Sequence, residues 1–152
     1  MGEQSVKIEQ IINENRQSLF HGTSVRNAYD ILRKGKIEPR TQQVLDGNKI
    51  SGVSTSRSKK FALDWGHVMF EFNADAIRHH NKVVPVDFLQ HSPHYNVDKR
   101  HCSEEFVIGE LNNIQRSLSV VYIKSTARHS DYYDDILDIL NDKYMNTEVV
   151  EL

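Results

Sequence analysis

A single cysteine, Cys102, stands among the 152 residues. An internal disulfide is therefore excluded, and the expected setting is a reducing compartment, the cytoplasm. There is no basic excess: 19 Lys and Arg stand against 21 Asp and Glu, a formal net charge of -2. Such a balance gives polyanion binding no electrostatic support, so a nucleic-acid partner is not expected. No apolar run approaches the length of a membrane span. The first residues, Met1-Gly2-Glu3-Gln4-Ser5, lack the basic and apolar regions of a signal peptide. A myristoylation pattern would need a hydroxyl at position 6, where Val6 stands. Internal repeats, low-complexity tracts and linkers are also missing. The length suits one domain over residues 1–152, built around one core.

The patterns that are present read as follows. Val6 to Asn15 places Ile8, Ile11 and Ile12 on one helical face. Leu19-Phe20-His21-Gly22-Thr23 reads as a short strand running into a tight turn. Ser24 then caps a helix carrying Val25, Ala28, Ile31 and Leu32, which stops at Lys34-Gly35. From Ile37 to Ser51 periodicity fails, and a long loop is expected. Gly52-Val53-Ser54-Thr55-Ser56-Arg57 is a strand ending in hydroxyls. Ser58 caps a helix with Phe61, Ala62 and Trp65 that stops at Gly66. His67 to Phe72 alternates as a strand. Asp75 to His80 is a turn or a single helical turn, and Pro85 puts Val83 to Val86 at a sheet edge or outside the sheet. His91 to Cys102 is polar loop. Glu105 to Leu111 and Leu118 to Lys124 are strands on either side of Asn112-Asn113. Ser130 caps a last helix with Tyr133, Ile136, Leu137 and Leu140 on one face; Asp131, Asp134 and Asp135 sit in its first turn. Thr147 to Leu152 is a tail or a short edge strand. The tally is α+β with a largely antiparallel sheet and flanking helices.

Three stretches put polar residues at strand boundaries: His21-Gly22-Thr23, Ser54-Thr55-Ser56-Arg57, and Ser103-Glu104-Glu105 leading into Phe106-Val107-Ile108. A Glu-Glu pair opening an apolar strand needs a reason, because charge there is costly without a partner. In this order the three stretches resemble the ADP-ribosyltransferase superfamily. Leu19 to Ser24, with Asn27 and Ile31-Leu32-Arg33-Lys34-Gly35 after it, looks like the first motif of the poly(ADP-ribose) polymerase and diphtheria-toxin branch. Ser54-Thr55-Ser56 looks like the middle motif of the cholera-toxin-like branch. Glu105-Phe106-Val107-Ile108, continuing through Asn112-Asn113-Ile114 to the strand around Val120 to Ile123, looks like the last motif of the polymerase branch. The run is also similar to small phage and bacterial proteins of the superfamily. It covers roughly residues 19–124 and leaves both terminal helices aside.

The resemblance implies a split antiparallel β-sandwich around an NAD cleft. It also implies a mono-ADP-ribosyltransferase that uses NAD as substrate, without a metal, and releases nicotinamide. Breaking the nicotinamide–ribose bond develops positive charge on the ribose, as in glycoside hydrolysis, and a carboxylate beside it stabilises that charge. By resemblance Glu105 is that carboxylate, and Ser54 supports the cleft beside it. Glu104, turned to the other face by strand alternation, is then solvated. His21 would bind the adenosine ribose, the Gly22 backbone the nicotinamide amide, and Thr23 completes that motif. Arg57 would reach the pyrophosphate. Phe61 or Trp65 would stack on nicotinamide.

Two positions depart from the family patterns. The polymerase branch usually carries Tyr where Ser54 stands, so the set is a mixed His-Ser-Glu. The cholera-like branch carries Glu or Gln where Ser103 stands, so arginine is unsupported as an acceptor. A macromolecular acceptor, protein rather than nucleic acid, is expected. Competing readings are a non-catalytic NAD or ADP-ribose-binding module and an NAD-dependent RNA 2′-phosphotransferase. The latter calls for a basic face that the charge balance does not supply. His91, His94, His101 and Cys102 match no zinc spacing, so no metal is expected. A Cys102–His101 hydrolase is set aside because adjacent strand residues point apart.

Overall fold

The structure, a computed structural model, describes residues 17–43, 49–85 and 104–152. The expected leading helix around Ile8, Ile11 and Ile12 lies outside the described residues, as do Ser103 and the His91 to Cys102 stretch. Eight strands form one sheet, β1 (Ser18–Thr23), β2 (Arg40–Gln43), β3 (Lys49–Ser56), β4 (Val68–Asn73), β5 (Val83–Pro85), β6 (Glu104–Ile108), β7 (Leu118–Ile123) and β8 (Glu148–Glu151). Their order is β5-β6-β3-β1-β4-β7-β8, with β2 paired to β3. Every pairing is antiparallel except β7 with β8. The helices are α1 (Val25–Lys34), α2 (Lys59–Leu63), α3 (Ala74–His80), α4 (Ile114–Ser117) and α5 (Tyr133–Lys143).

Capping chemistry starts the first three helices. Ser24 Oγ accepts from the Asn27 N–H at the head of α1, and Gly35 closes that helix in the left-handed conformation. Ser58 and Asn73 cap α2 and α3 in the same way. The main core lies on one face of the sheet, where Leu19, Phe70, Phe72, Val121 and Ile123 meet Ala28 and Leu32 of α1 and Ile136 and Leu140 of α5. Burying each such side chain contributes roughly 1.5–3 kcal/mol. Tyr144 ties the far end of α5 to α1 by donating to the Leu32 carbonyl at 2.8 Å. On the other face Phe20, Met69 and Tyr122 pack with Ala62 of α2.

Four elements differ from expectation. The Ile37–Ser51 region contains β2 and the start of β3 rather than loop throughout. Among the described residues β2 pairs with β3 alone, and a strand with one neighbour and a solvated side needs no apolar alternation. The strand expected from Glu105 to Leu111 is described from Glu104 and ends at Ile108, and Leu111 instead makes an isolated bridge with Ile37. Ser130 does not cap α5. Its Oγ accepts from the Tyr132 N–H at 3.2 Å, in a turn after a 3-10 segment over Ser125–His129, and the helix starts at Tyr133. Asp131 therefore stands outside the helix, while Asp134 and Asp135 occupy its first turn. Asp75 to His80 belongs to a seven-residue helix, α3. No helix among the described residues is long and apolar enough to cross a membrane.

Candidate active site

β1 and β3 share one paired position, Phe20 with Ser56. Towards Thr23 on one strand and Gly52 on the other they part, and the sheet is split there. A cavity of about 540 Å³ opens at the split, lined by residues of β1, α1, β3, α2 and the start of β6. That size suits a cofactor-sized ligand.

Two close backbone approaches shape its wall. A Cβ on Gly22 would stand 2.1 Å from the Ala62 carbonyl oxygen, and one on Gly66 would stand 2.1 Å from the Thr23 carbonyl oxygen. The end of β1 and the α2 turn therefore touch at main-chain distance, which only residues without a Cβ permit. This contact puts Phe61 and Trp65 at the cleft. Phe61 is half-buried and meets Trp65 edge to face, with ring centroids 5.9 Å apart. Trp65 is 65% exposed at the lip.

His21 lies across the split. Its Nδ1 is 2.8 Å from the Ser54 carbonyl oxygen. A carbonyl only accepts, so Nδ1 carries the hydrogen and Nε2 is left as an acceptor. Burial pulls the ring's pKa below 6.5, the Ser54 carbonyl works against that shift, and the Arg40 charge adds to it. His21 is thus neutral at physiological pH and suited to accept a hydrogen bond from a hydroxyl. A lowered folded-state pKa means that the unfolded chain binds the proton more tightly. The stability contributed by neutral His21 is present above pH 6.5 and is lost as pH falls through the lower folded value. The melting temperature of the wild type is expected to fall more steeply than that of His21→Gln as the pH is lowered from 6.5. Parallel slopes for the two proteins would show that the ring takes no part in this linkage.

The pairing of β3 with β6 places the two carboxylates on opposite sides of the strand. Phe106 stands opposite Ser54 and Glu104 opposite Ser56, while Glu105 stands opposite Thr55 and Val107 opposite Val53. Paired residues share a face. Val53 and Val107 belong to the main core, so Glu105 is turned to that side and is buried. Glu104 and Phe106 line the cleft. Ser54 Oγ donates to Glu104 Oε1 at 2.5 Å, within the range of a short charge-assisted bond. Glu105, expected to face the cleft, is not among the residues that line it, although Val53 and Thr55 on its side of β3 are.

Arg57, expected at the pyrophosphate, stands beside Glu105. Its Nε lies 3.4 Å from Glu105 Oε1, and neither residue lines the cleft. The arginine that does line it is Arg40 of β2, which is exposed and close enough to perturb His21. Sequence reasoning missed Arg40 because it sits in a polar stretch without period. The remaining expected residues, His21, Gly22, Thr23, Ser54, Phe61 and Trp65, all line the cleft. Among the described residues no group of three or more His, Cys, Asp or Glu is placed to hold a metal ion.

No protein-family model matches the sequence, and no curated protein matches it. Solved structures do. DarT from Thermus sp. 2.9 in complex with NAD+ is similar to this chain with a TM-score of 0.53 at 12% identity, over 91% of this chain and 96% of that one. DarT in complex with carba-NAD+ gives a TM-score of 0.52, again at 12% identity and with the same coverage. The likeness is one of fold: an α+β chain with an eight-stranded sheet and flanking helices among its described residues, similar to the fold of DarT.

Proposed function

We propose that this protein is a mono-ADP-ribosyltransferase that takes NAD as substrate and transfers one ADP-ribose to a macromolecular acceptor, a protein, with release of nicotinamide. The observation that carries this reading is the Ser54–Glu104 contact of 2.5 Å in the cleft that His21 also lines. The similarity to a fold solved with NAD+ in DarT supports the same ligand.

Each residue has a task that its geometry suits. Glu104 presents a carboxylate where positive charge develops on the nicotinamide ribose, so its effect is larger in the transition state than in the ground state. Ser54 holds that carboxylate in one orientation by donating to it. His21 Nε2 accepts from a hydroxyl of the adenosine ribose, and the Gly22 main chain, at the cleft wall, meets the nicotinamide amide. Phe61, half-buried, is the better placed of the two aromatic rings to stack on nicotinamide. Trp65 at the lip then borders the acceptor. Arg40 replaces Arg57 as the cation for the pyrophosphate.

Protein is preferred to nucleic acid as acceptor on charge. Lys34 and Lys36 at the cleft are offset by Glu38 and Glu110, each at 3.6 Å. A strip of uncompensated cations, which polyanion binding favours, is not formed by these two. Incubation of the purified protein with adenylate-labelled NAD and a host lysate tests the reading. The expected result is stoichiometric nicotinamide release with label in protease-sensitive bands. Label in nuclease-sensitive material would overturn the acceptor class, and NAD binding without any release would favour the non-catalytic module.

A further inference from the structure

Phe106 lines the cleft without a task in the proposed reaction. It stands opposite Ser54 in the pairing of β6 with β3. Gly52 lies two residues before Ser54 on β3, on the same face. A Cβ on Gly52 would stand 2.7 Å from Phe106 Cε1 and 3.1 Å from Phe106 Cδ1. The phenyl ring therefore fills the space that a side chain on Gly52 would take. Glu104 lies two residues before Phe106 on β6, and its carboxylate accepts from Ser54 Oγ at 2.5 Å. Ring, hydroxyl and carboxylate form one corner of the cleft, which Ser54, Glu104 and Phe106 all line. Phe106 is only 2% exposed, so its ring offers little area on which a ligand could stack. What it does is occupy volume beside a hydroxyl and a carboxylate. A hole at that place would not stay dry, because the two polar groups give a water hydrogen-bond partners. A water held against a carboxylate is also placed to lose its proton and attack.

Water is the competing nucleophile in such a reaction. When the bond between C1′ of the ribose and nicotinamide breaks, its electron pair leaves with nicotinamide and C1′ is left as a cation. An acceptor nucleophile that attacks C1′ and sheds a proton completes the transfer. Water attacking in its place gives free ADP-ribose and a proton. We propose that Phe106, laid over Gly52, is a seal that keeps water out of the Ser54–Glu104 corner and so directs the C1′ cation to the acceptor. It sets the fate of the cation without touching the reacting atoms. This role rests on the reading of Glu104 as the carboxylate that faces the ribose.

The test compares Phe106→Ala with Val107→Ala. The second substitution removes apolar volume from the next residue of the strand, which belongs to the main core on the other face. Each protein is incubated with adenylate-labelled NAD and a host lysate at equal folded fraction. The nicotinamide released is divided by the label found in protein, and crystals of each variant show whether the vacated space holds water. Phe106→Ala is expected to raise the ratio about tenfold or more over wild type, with free ADP-ribose as the extra product. Its crystals are expected to hold a water within about 3.2 Å of Glu104 or Ser54. Val107→Ala is expected to melt lower, keep the wild-type ratio and admit no water, since its surroundings are apolar. Should Phe106→Ala fail to fold, Phe106→Leu opens a smaller gap and is expected to raise the ratio by less. An unchanged ratio in the Phe106 variant, or an equal rise in Val107→Ala, would overturn the proposal. A dry space beside Glu104 in the Phe106 variant would do so too. If wild type and variants alike release no nicotinamide, the NAD reading fails, while the water in the Phe106 variant crystals still decides the seal.

Discussion

Glu104→Gln is expected to lower the rate of nicotinamide release by at least about a hundredfold, the typical loss for one electrostatic stabiliser in a water-poor site. The amide keeps the shape of the side chain and can still accept from Ser54 Oγ, so the 2.5 Å contact survives in weaker form. What is lost is the negative charge opposite the ribose. Because Glu104 is half-buried, the melting temperature should stay within the range of neutral surface changes, about 0.5 kcal/mol. Glu105→Gln is expected to behave in the opposite way. It leaves the Arg57 guanidinium against a neutral amide in the core, so the melting temperature falls and the rate loss is the smaller of the two. Initial rates at equal folded fraction, read beside melting curves, separate the two carboxylates. An inactive Glu105→Gln beside an active Glu104→Gln would return the role to Glu105 and sink the register on which the site is built.

Gly22→Ala is expected to damage fold and reaction together. The added Cβ would meet the Ala62 carbonyl oxygen at 2.1 Å and the Trp65 Cβ at 3.1 Å. The first contact is with main chain, which cannot swing aside as a flexible side chain can. Relief requires α2 and its following turn to move away from β1, at a cost of roughly 1–3 kcal/mol or more. The same movement carries Phe61 and Trp65 off the cleft wall. A displacement of this size at a site that must hold a reacting bond in line lowers turnover by roughly a hundredfold. Calorimetric titration with NAD should show weakened binding alongside the lower melting temperature. Unchanged binding in a protein that melts normally would mean that β1 and α2 are not held as closely as the two glycines imply.

Much of the architecture was legible because it is written in local chemistry. Ser24, Ser58, Gly35 and Pro85 each impose a local requirement, and the helices and the edge strand follow where they stand. β2 was not legible. Arg40 to Gln43 carries no apolar alternation, since an edge strand is held by main-chain bonds to one neighbour and needs little from its side chains. The start of α5 was misread because Ser130 can satisfy a turn N–H as readily as a helix N–H. The site was legible in its parts and not in its parity. Strand alternation says that Glu104 and Glu105 face apart, but Phe106, Val107 and Ile108 are all apolar, so no contrast marks the core side. Pairing with β3 supplies that information, and pairing is a long-range property. Arg57 stands beside Glu105, a neighbour that its place in the sequence does not reveal.

The central claim is that NAD lies in the split between β1 and β3, with its nicotinamide ribose against Glu104. A crystal structure of the wild-type protein soaked with an unreactive NAD analogue tests it most directly. The expected result is a ribose hydroxyl within about 3.2 Å of a Glu104 carboxylate oxygen, a hydrogen-bond distance, with His21 Nε2 on the other ribose and Glu105 still paired to Arg57. An analogue bound elsewhere, or seated in the cleft with its nicotinamide ribose turned away from Glu104, would contradict the account.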